Sequence, residues 1–228
     1  MAKKSGTKHL KRIAMPKSFG MPRKAHTWVL NPLPGRHSKL KSVPLSHAVI
    51  NLGFAKNAKE AKHVLNTRKV LVDGVPRTEE KDPVGFMDVI TVDKDSWRAF
   101  FDGKGRVVFK PTSNSSVKLC KVVNKTKVKG GKIQLTLHDG KNVMGFDAKP
   151  GDTVEVSLPQ GKAVGKIALQ KNALCFVIGG KKIGSLIKVS EIIDGSATRK
   201  SEIHGELEDG KPAITLKEYL FPVKEGFI

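Results

Sequence analysis

The sequence predicts an α+β chain of several modules: an extended basic arm over 1–42, a helix–helix–hairpin unit over 43–106, and two small β-barrel-like modules over 107–164 and 165–228. Three observations carry this reading. Apolar residues recur at helical spacing only between Leu45 and Leu65. Elsewhere they come in short runs broken by 22 Gly and 12 Pro among 228 residues, which builds small modules rather than one large core. Finally, the first acidic residue is Glu60, and the residues before it include 13 Lys and Arg.

The arm follows from its punctuation. Pro16, Pro22, Pro32 and Pro34, with Gly6, Gly20 and Gly35, leave room for no more than a short helical turn near Leu10–Ala14. Its positive charges are Lys3, Lys4, Lys8, Lys11, Arg12, Lys17, Arg23, Lys24, Arg36, Lys39 and Lys41, with no carboxylate to balance them. Such a segment suits the phosphate backbone of RNA. It is expected to be mobile alone and to order on RNA. Phe19, Met21, Trp28, Val29 and Leu30 are more apolar than a pure linker requires, which points to some packing on the protein itself or insertion into the partner.

Beyond Pro44 the pattern changes. Leu45, Ala48, Val49 and Leu52 stand at i, i+3, i+4 and i+7, and Gly53 follows as a stop, which predicts a short amphipathic helix. Asn57 with Glu60 three residues on is a capping-box start for a second helix with the apolar stripe Ala61, Val64 and Leu65. Lys59, Lys62, His63 and Asn66 repeat the same spacing on its other face. Val70-Leu71-Val72, Asp73-Gly74 and Val75 form a hairpin, because Asp-Gly accepts the positive φ of a two-residue turn. Val89–Val92 adds a strand. Lys56, Arg68 and Lys69 flank the second helix.

After a loop at 102–106 only β signals remain. Ile133–His138 alternates apolar and polar residues before the turn Asp139-Gly140, Val154–Leu158 follows a Gly-Asp start, and Ala173–Ile178 is an apolar run closed by Gly179-Gly180. Residues 107–171 hold 12 basic and 4 acidic residues, so this stretch shares the basic excess of a chain with net charge +21.

Several functions are disfavoured. Seven Gly-Lys pairs, with glycine at 103, 131, 140, 161, 165, 180 and 210, lack the following Ser or Thr of a nucleotide-binding loop, and read instead as turns that project lysines such as Lys132 and Lys141. The histidines lie at no catalytic spacing from Ser, Cys or carboxylate, and Asp139 is accounted for by its turn. Cys120 and Cys175 read as small core residues of a reducing compartment rather than metal ligands or a disulfide. No cofactor, metal or small-molecule substrate is expected. The apolar run at Ala173–Ile178 is too short to cross a bilayer, which favours a cytoplasmic chain. With one Tyr and 6% aromatic residues, backbone and shape readout is favoured over base stacking.

Gly53-Phe54-Ala55, Lys59-Glu60-Ala61-Lys62 and Arg68-Lys69-Val70-Leu71-Val72-Asp73-Gly74 resemble the S4 RNA-binding domain. Lys8-His9-Leu10-Lys11-Arg12, Pro34-Gly35-Arg36-His37, Lys118-Leu119-Cys120-Lys121-Val122 and the segment Gly130–Asn142, which includes Lys129's neighbour turn and Lys132, resemble the S4e family of small-subunit ribosomal proteins. That likeness covers nearly the whole chain. It implies a non-catalytic scaffold and assembly protein bound to small-subunit ribosomal RNA and neighbouring ribosomal proteins, with a KOW-type, SH3-like barrel over Gly165–Ile193. The family motif after Gly184 carries a basic residue and a glycine where this chain has Ser185 and Ile187. The stop soon after Tyr219-Leu220-Phe221-Pro222 resembles the archaeal form. The candidate RNA contacts are the arm cations named above with Lys56, Lys59, Lys62, His63, Arg68, Lys69, Lys129, Lys132 and Lys141. Two other functions compete with this one. A pseudouridine synthase would need an Arg-Leu-Asp tripeptide, which is missing, and a free-standing RNA chaperone or KOW-type transcription or translation factor is the alternative.

Overall fold

Helix α1 spans Leu45–Asn51 and buries Leu45, Ala48 and Val49 completely, and Gly53 beyond it takes a φ of 85°. The computed structural model describes residues 8–67, 69–128, 130–196, 198–224 and 226. Helix α2 spans Ala58–Asn66. The Asn57 side chain accepts the Glu60 N–H at 3.0 Å, while the Glu60 carboxylate accepts from Asn57 Nδ2 at 3.0 Å and from the Lys56 N–H at 2.8 Å. The capping box is therefore present, closed one residue earlier than its simplest form. Ala61 and Leu65 are buried, and α2 packs against α1.

The hairpin is also as read. Val72 pairs with Val75, and Asp73 and Gly74 have φ of 54° and 76°, a two-residue turn of the primed type. A five-stranded sheet runs in the order Val75–Pro76, Val70–Val72, Val89–Val92, Asp95–Phe101, Val107–Pro111. Ser42–Pro44 pairs with Pro83–Gly85 in a separate ribbon beside α1.

The arm differs from its expectation. From Leu10 onward it is docked on this unit. Leu10–Lys11 pairs with Trp28–Val29, and three single 3₁₀ turns lie at Arg12–Ala14, Lys17–Phe19 and Lys39–Lys41. Phe19 is 1% exposed and Met15 is buried with it. The Ser18 hydroxyl donates to the Ser42 carbonyl at 2.9 Å, and the His47 ring of α1 lies 3.0 Å from the Phe19 carbonyl through Nε2. The apolar residues that a mobile arm has little use for are thus its anchor, although the anchor is Phe19 rather than Trp28. Two compact units result: one from the residues up to Phe100 with Arg106–Pro111, the other from Phe101–Gly105 with Thr112 onward.

The second unit holds two antiparallel five-stranded sheets. One runs Asn142–Met144, Ile133–Leu137, Val117–Lys127, Thr153–Ser157, Ala163–Ile167, and the other Pro212–Leu216, Glu202–Leu207, Leu186–Ile193, Leu174–Val177, Leu220–Pro222. Each has its own core, around Cys120, Leu135 and Val154 in the first and Cys175, Ile187 and Ile203 in the second. Register shifts at Val122/Asn124, Glu155/Val156 and Val189/Glu191 mark bulges that bend the strands. Neither cysteine forms a disulfide and both are buried, and burial pushes the Cys175 thiol up to about 12.

Phe19→Ala should cost about 3–5 kcal/mol and release the arm. Trypsin should then cut at Lys17, Arg23 and Lys24 much faster than in the parent chain. A second outcome follows from His47, whose pKa is lowered chiefly by burial, against the opposing pull of the Phe19 carbonyl and with a small addition from Arg12. The unfolded chain binds that proton more readily, so stability present above about pH 6.5 falls as pH drops below it. Melting temperatures from pH 8 to 5 should show the decline, and His47→Gln should flatten it.

Candidate nucleic-acid interface

The basic face of α2 is fully presented. Lys56, Lys59, Lys62, His63, Asn66 and Lys69 are all exposed, while the opposite stripe is spent on α1. In the N-terminal segment Lys8, Lys11, Lys17, Arg23, Lys24, Lys39 and Lys41 are exposed as well. A cleft of about 800 Å³ is lined by Lys8, Lys39 and Lys81 together with Asn31 and Leu33. Lys132 is exposed beside Gly131, whose φ is 70°. Five of the Gly-Lys glycines, at 131, 140, 161, 180 and 210, have positive φ and so are true turns. Gly103 and Gly165 do not, and Gly165 lies inside the strand Ala163–Ile167. Lys3, Lys4, Arg68 and Lys129 lie outside the described residues.

Two of the predicted arginines serve the protein instead. Arg12 is buried, its Nε donating to the Pro22 carbonyl at 2.6 Å and its N–H to the Thr27 carbonyl at 2.9 Å, which closes the loop between the paired ends of the arm. Arg36 is 13% exposed and sits among three carboxylates: Asp82 at 2.9 Å, Asp73 at 3.4 Å and Asp88 at 4.0 Å. Burial opposes its charge, yet Asp88, Asp82 and Asp73 together raise its pKa above the usual value. Neither guanidinium is an open phosphate contact of the kind the arm's charge suggested. The reason is that buried carboxylates and loop carbonyls need donors, and arginine's fixed fork satisfies several acceptors at once. Lys141 is half-committed in the same way, with its ammonium 3.9 Å from Asp139.

No motif or spacing in the chain announces the buried cluster around Asp139. Its carboxylate is 3.2 Å from the Lys118 ammonium, and both are fully buried. Lys118 lowers the Asp139 pKa against the larger opposing effect of burial, with help from His138 and Lys141. Cys120 and His138 bring their ligand atoms within 4.8 Å of Asp139, a metal-like trio. The chemistry does not fit a cation. Asp139 already takes the Lys118 ammonium on one oxygen and the Lys141 N–H on the other at 3.2 Å, so a metal would meet an ammonium charge at the site. The same strand aims Lys121 the other way, where its ammonium donates to the carbonyls of Lys217, Glu218 and Leu220 at 3.0, 3.0 and 2.7 Å. Lys118→Met should leave Asp139 charged and buried, cost about 3–5 kcal/mol, and lower the melting temperature while leaving the α2 face untouched.

Comparison with known proteins agrees with this picture. Residues 93–163 match a family described as Ribosomal family S4e, residues 47–90 match the S4 domain, and residues 4–40 match the RS4NT (NUC023) domain. The chain is 42% identical over 236 residues to small ribosomal subunit protein eS4 of Methanocaldococcus jannaschii, covering 98% of this chain and 96% of that protein. It is 39% identical to the protein of that name from Methanothermobacter thermautotrophicus, covering 98% and 95%. The crystal structure of 30S ribosomal protein S4e from Thermoplasma acidophilum has a TM-score of 0.69 and 29% identity, over 82% of this chain and 96% of that one.

Proposed function

The chain belongs to the small ribosomal subunit protein eS4 family, and we propose from this that it binds small-subunit ribosomal RNA as a structural constituent of that subunit, supporting its assembly and translation rather than catalysing a reaction. The observation that carries the reading is α2. One face is consumed by Ala61 and Leu65, and the other holds Lys59, Lys62 and His63 in the open, with Lys69, also exposed, just before the hairpin. Helix and hairpin together offer a row of donors to a phosphate backbone. The exposed lysines of the N-terminal segment extend the surface.

We further infer that the sheet ending in Leu220–Pro222 is a KOW-type, SH3-like module, and that the chain works in the cytoplasm on the ribosome beside neighbouring ribosomal proteins. Of the boundaries at 42, 106 and 164, we propose the one near 164, which separates two β modules within the second unit, the strand Ala163–Ile167 pairing into the first of them. Its support is the separate core of each sheet in the second unit.

Lys59→Ala, Lys62→Ala and Lys69→Ala together should preserve the fold and flatten the dependence of log affinity on log salt by about two to three units, near one per lost phosphate contact. Filter binding to small-subunit ribosomal RNA measures it. An unchanged slope would remove α2 from the interface.

A further inference from the structure

Trp28 is the one large aromatic ring that the folded N-terminal segment leaves in water. It is 57% exposed. The register explains why. In the two-stranded ribbon Leu10 pairs with Val29 and Lys11 with Trp28, and Leu10 is buried, so the Lys11–Trp28 pair occupies the outer face. His9 packs on the Trp28 ring with centroids 5.8 Å apart and planes tilted by 59°. The ribbon beneath is held by the buried Arg12, which ties Pro22 and Thr27 back to the first strand. The indole is therefore mounted on a fixed base, with an exposed ammonium across the ribbon and a second ring against it.

We propose that Trp28 is a stacking site for an unpaired nucleobase of the bound RNA, with Lys11 contacting the adjoining phosphate; this rests on the RNA-binding reading above. Every base offers a π-face, and an exposed indole beside an ammonium matches a nucleotide's two parts, ring and phosphate. The surrounding charge selects this occupant. Lys8, Lys11, Arg23 and Lys24 are exposed in the same segment, and no Asp or Glu precedes Glu60, so the surface suits a polyanion. The low aromatic content argued against stacking in general; it does not argue against one site built on a rigid ribbon.

The remaining tryptophan, Trp97, packs edge-on against Phe54 at 5.1 Å, so Trp97→Phe gives a chain whose fluorescence reports Trp28 alone. Titrating that variant with small-subunit ribosomal RNA should quench the emission as the complex forms. Trp28→Ala should weaken binding about tenfold with an unchanged salt slope, and Trp28→Phe should recover most of it. Lys11→Ala should instead reduce the slope by about one. Full affinity in Trp28→Ala with unquenched Trp28 overturns the stacking site while leaving RNA binding intact, as does a crosslink from this position to a ribosomal protein instead of RNA. Failure of the parent chain to bind the RNA at all overturns the function on which the site rests.

Discussion

The N-terminal half is organised around Arg36. Its guanidinium draws together carboxylates from three places: the hairpin turn at Asp73, the loop at Asp82, and Asp88 ahead of the strand Val89–Val92. Two of these carboxylates also order backbone or a ring: Asp73 accepts the Val89 N–H at 3.2 Å, and Asp88 accepts the Gly85 N–H at 3.0 Å and pairs with His37 at 2.9 Å. Burying that much charge is costly unless every partner is present. The segment Pro34–His37 must therefore be seated for the hairpin and the ribbon to be stable. The fit is tight enough that a Cβ on Gly85 would collide with the His37 ring. An arm drawn as an appendage is in fact the central piece of its own domain.

Local signals were legible in the sequence and non-local ones were not. The α1 stripe, the Asn57–Glu60 cap, the Asp73-Gly74 turn and Val89–Val92 all rest on neighbours within a few residues, and all appear. The long strand Val117–Lys127 was invisible because Lys118 and Lys121 break its alternation, and each is buried by a partner distant in sequence, Asp139 for one and the carbonyls of Lys217, Glu218 and Leu220 for the other. The arm's docking was missed for the same reason. Phe19, Ser18 and Arg12 find their places through contacts that no period in the chain announces. Of the candidate site, the face of α2 could be read from helical spacing, whereas whether Arg12 and Arg36 were inward or outward depended on where the acids would fold.

A large positive charge is thus divided between two tasks. Arg12, Arg36, Lys118 and Lys121 act as internal donors, placed where carbonyls or carboxylates need them, and they hold loops and sheets in register. Among the described residues, the lysines of α2 and the N-terminal segment are exposed and keep their charge for a polyanion. Counting charge alone overstates the interface, because the cations that look most concentrated in the sequence include those most deeply used by the fold.

Docking the arm also changes the thermodynamics of association. A flexible basic arm would lose backbone freedom on meeting RNA, about 1–2 kcal/mol for each residue fixed, which offsets much of the attraction it gains. Here the burial of Phe19, Met15 and Leu10 and the hydrogen bonds from Ser18 and Arg12 meet that cost during folding. The lysines and Trp28 are then presented at fixed spacing before any RNA arrives, so their contacts contribute to affinity with less lost to ordering. Preorganisation also imposes a selection. A fixed ribbon accepts an RNA whose phosphates and unpaired base already match it, which suits a folded RNA of defined shape better than a disordered single strand.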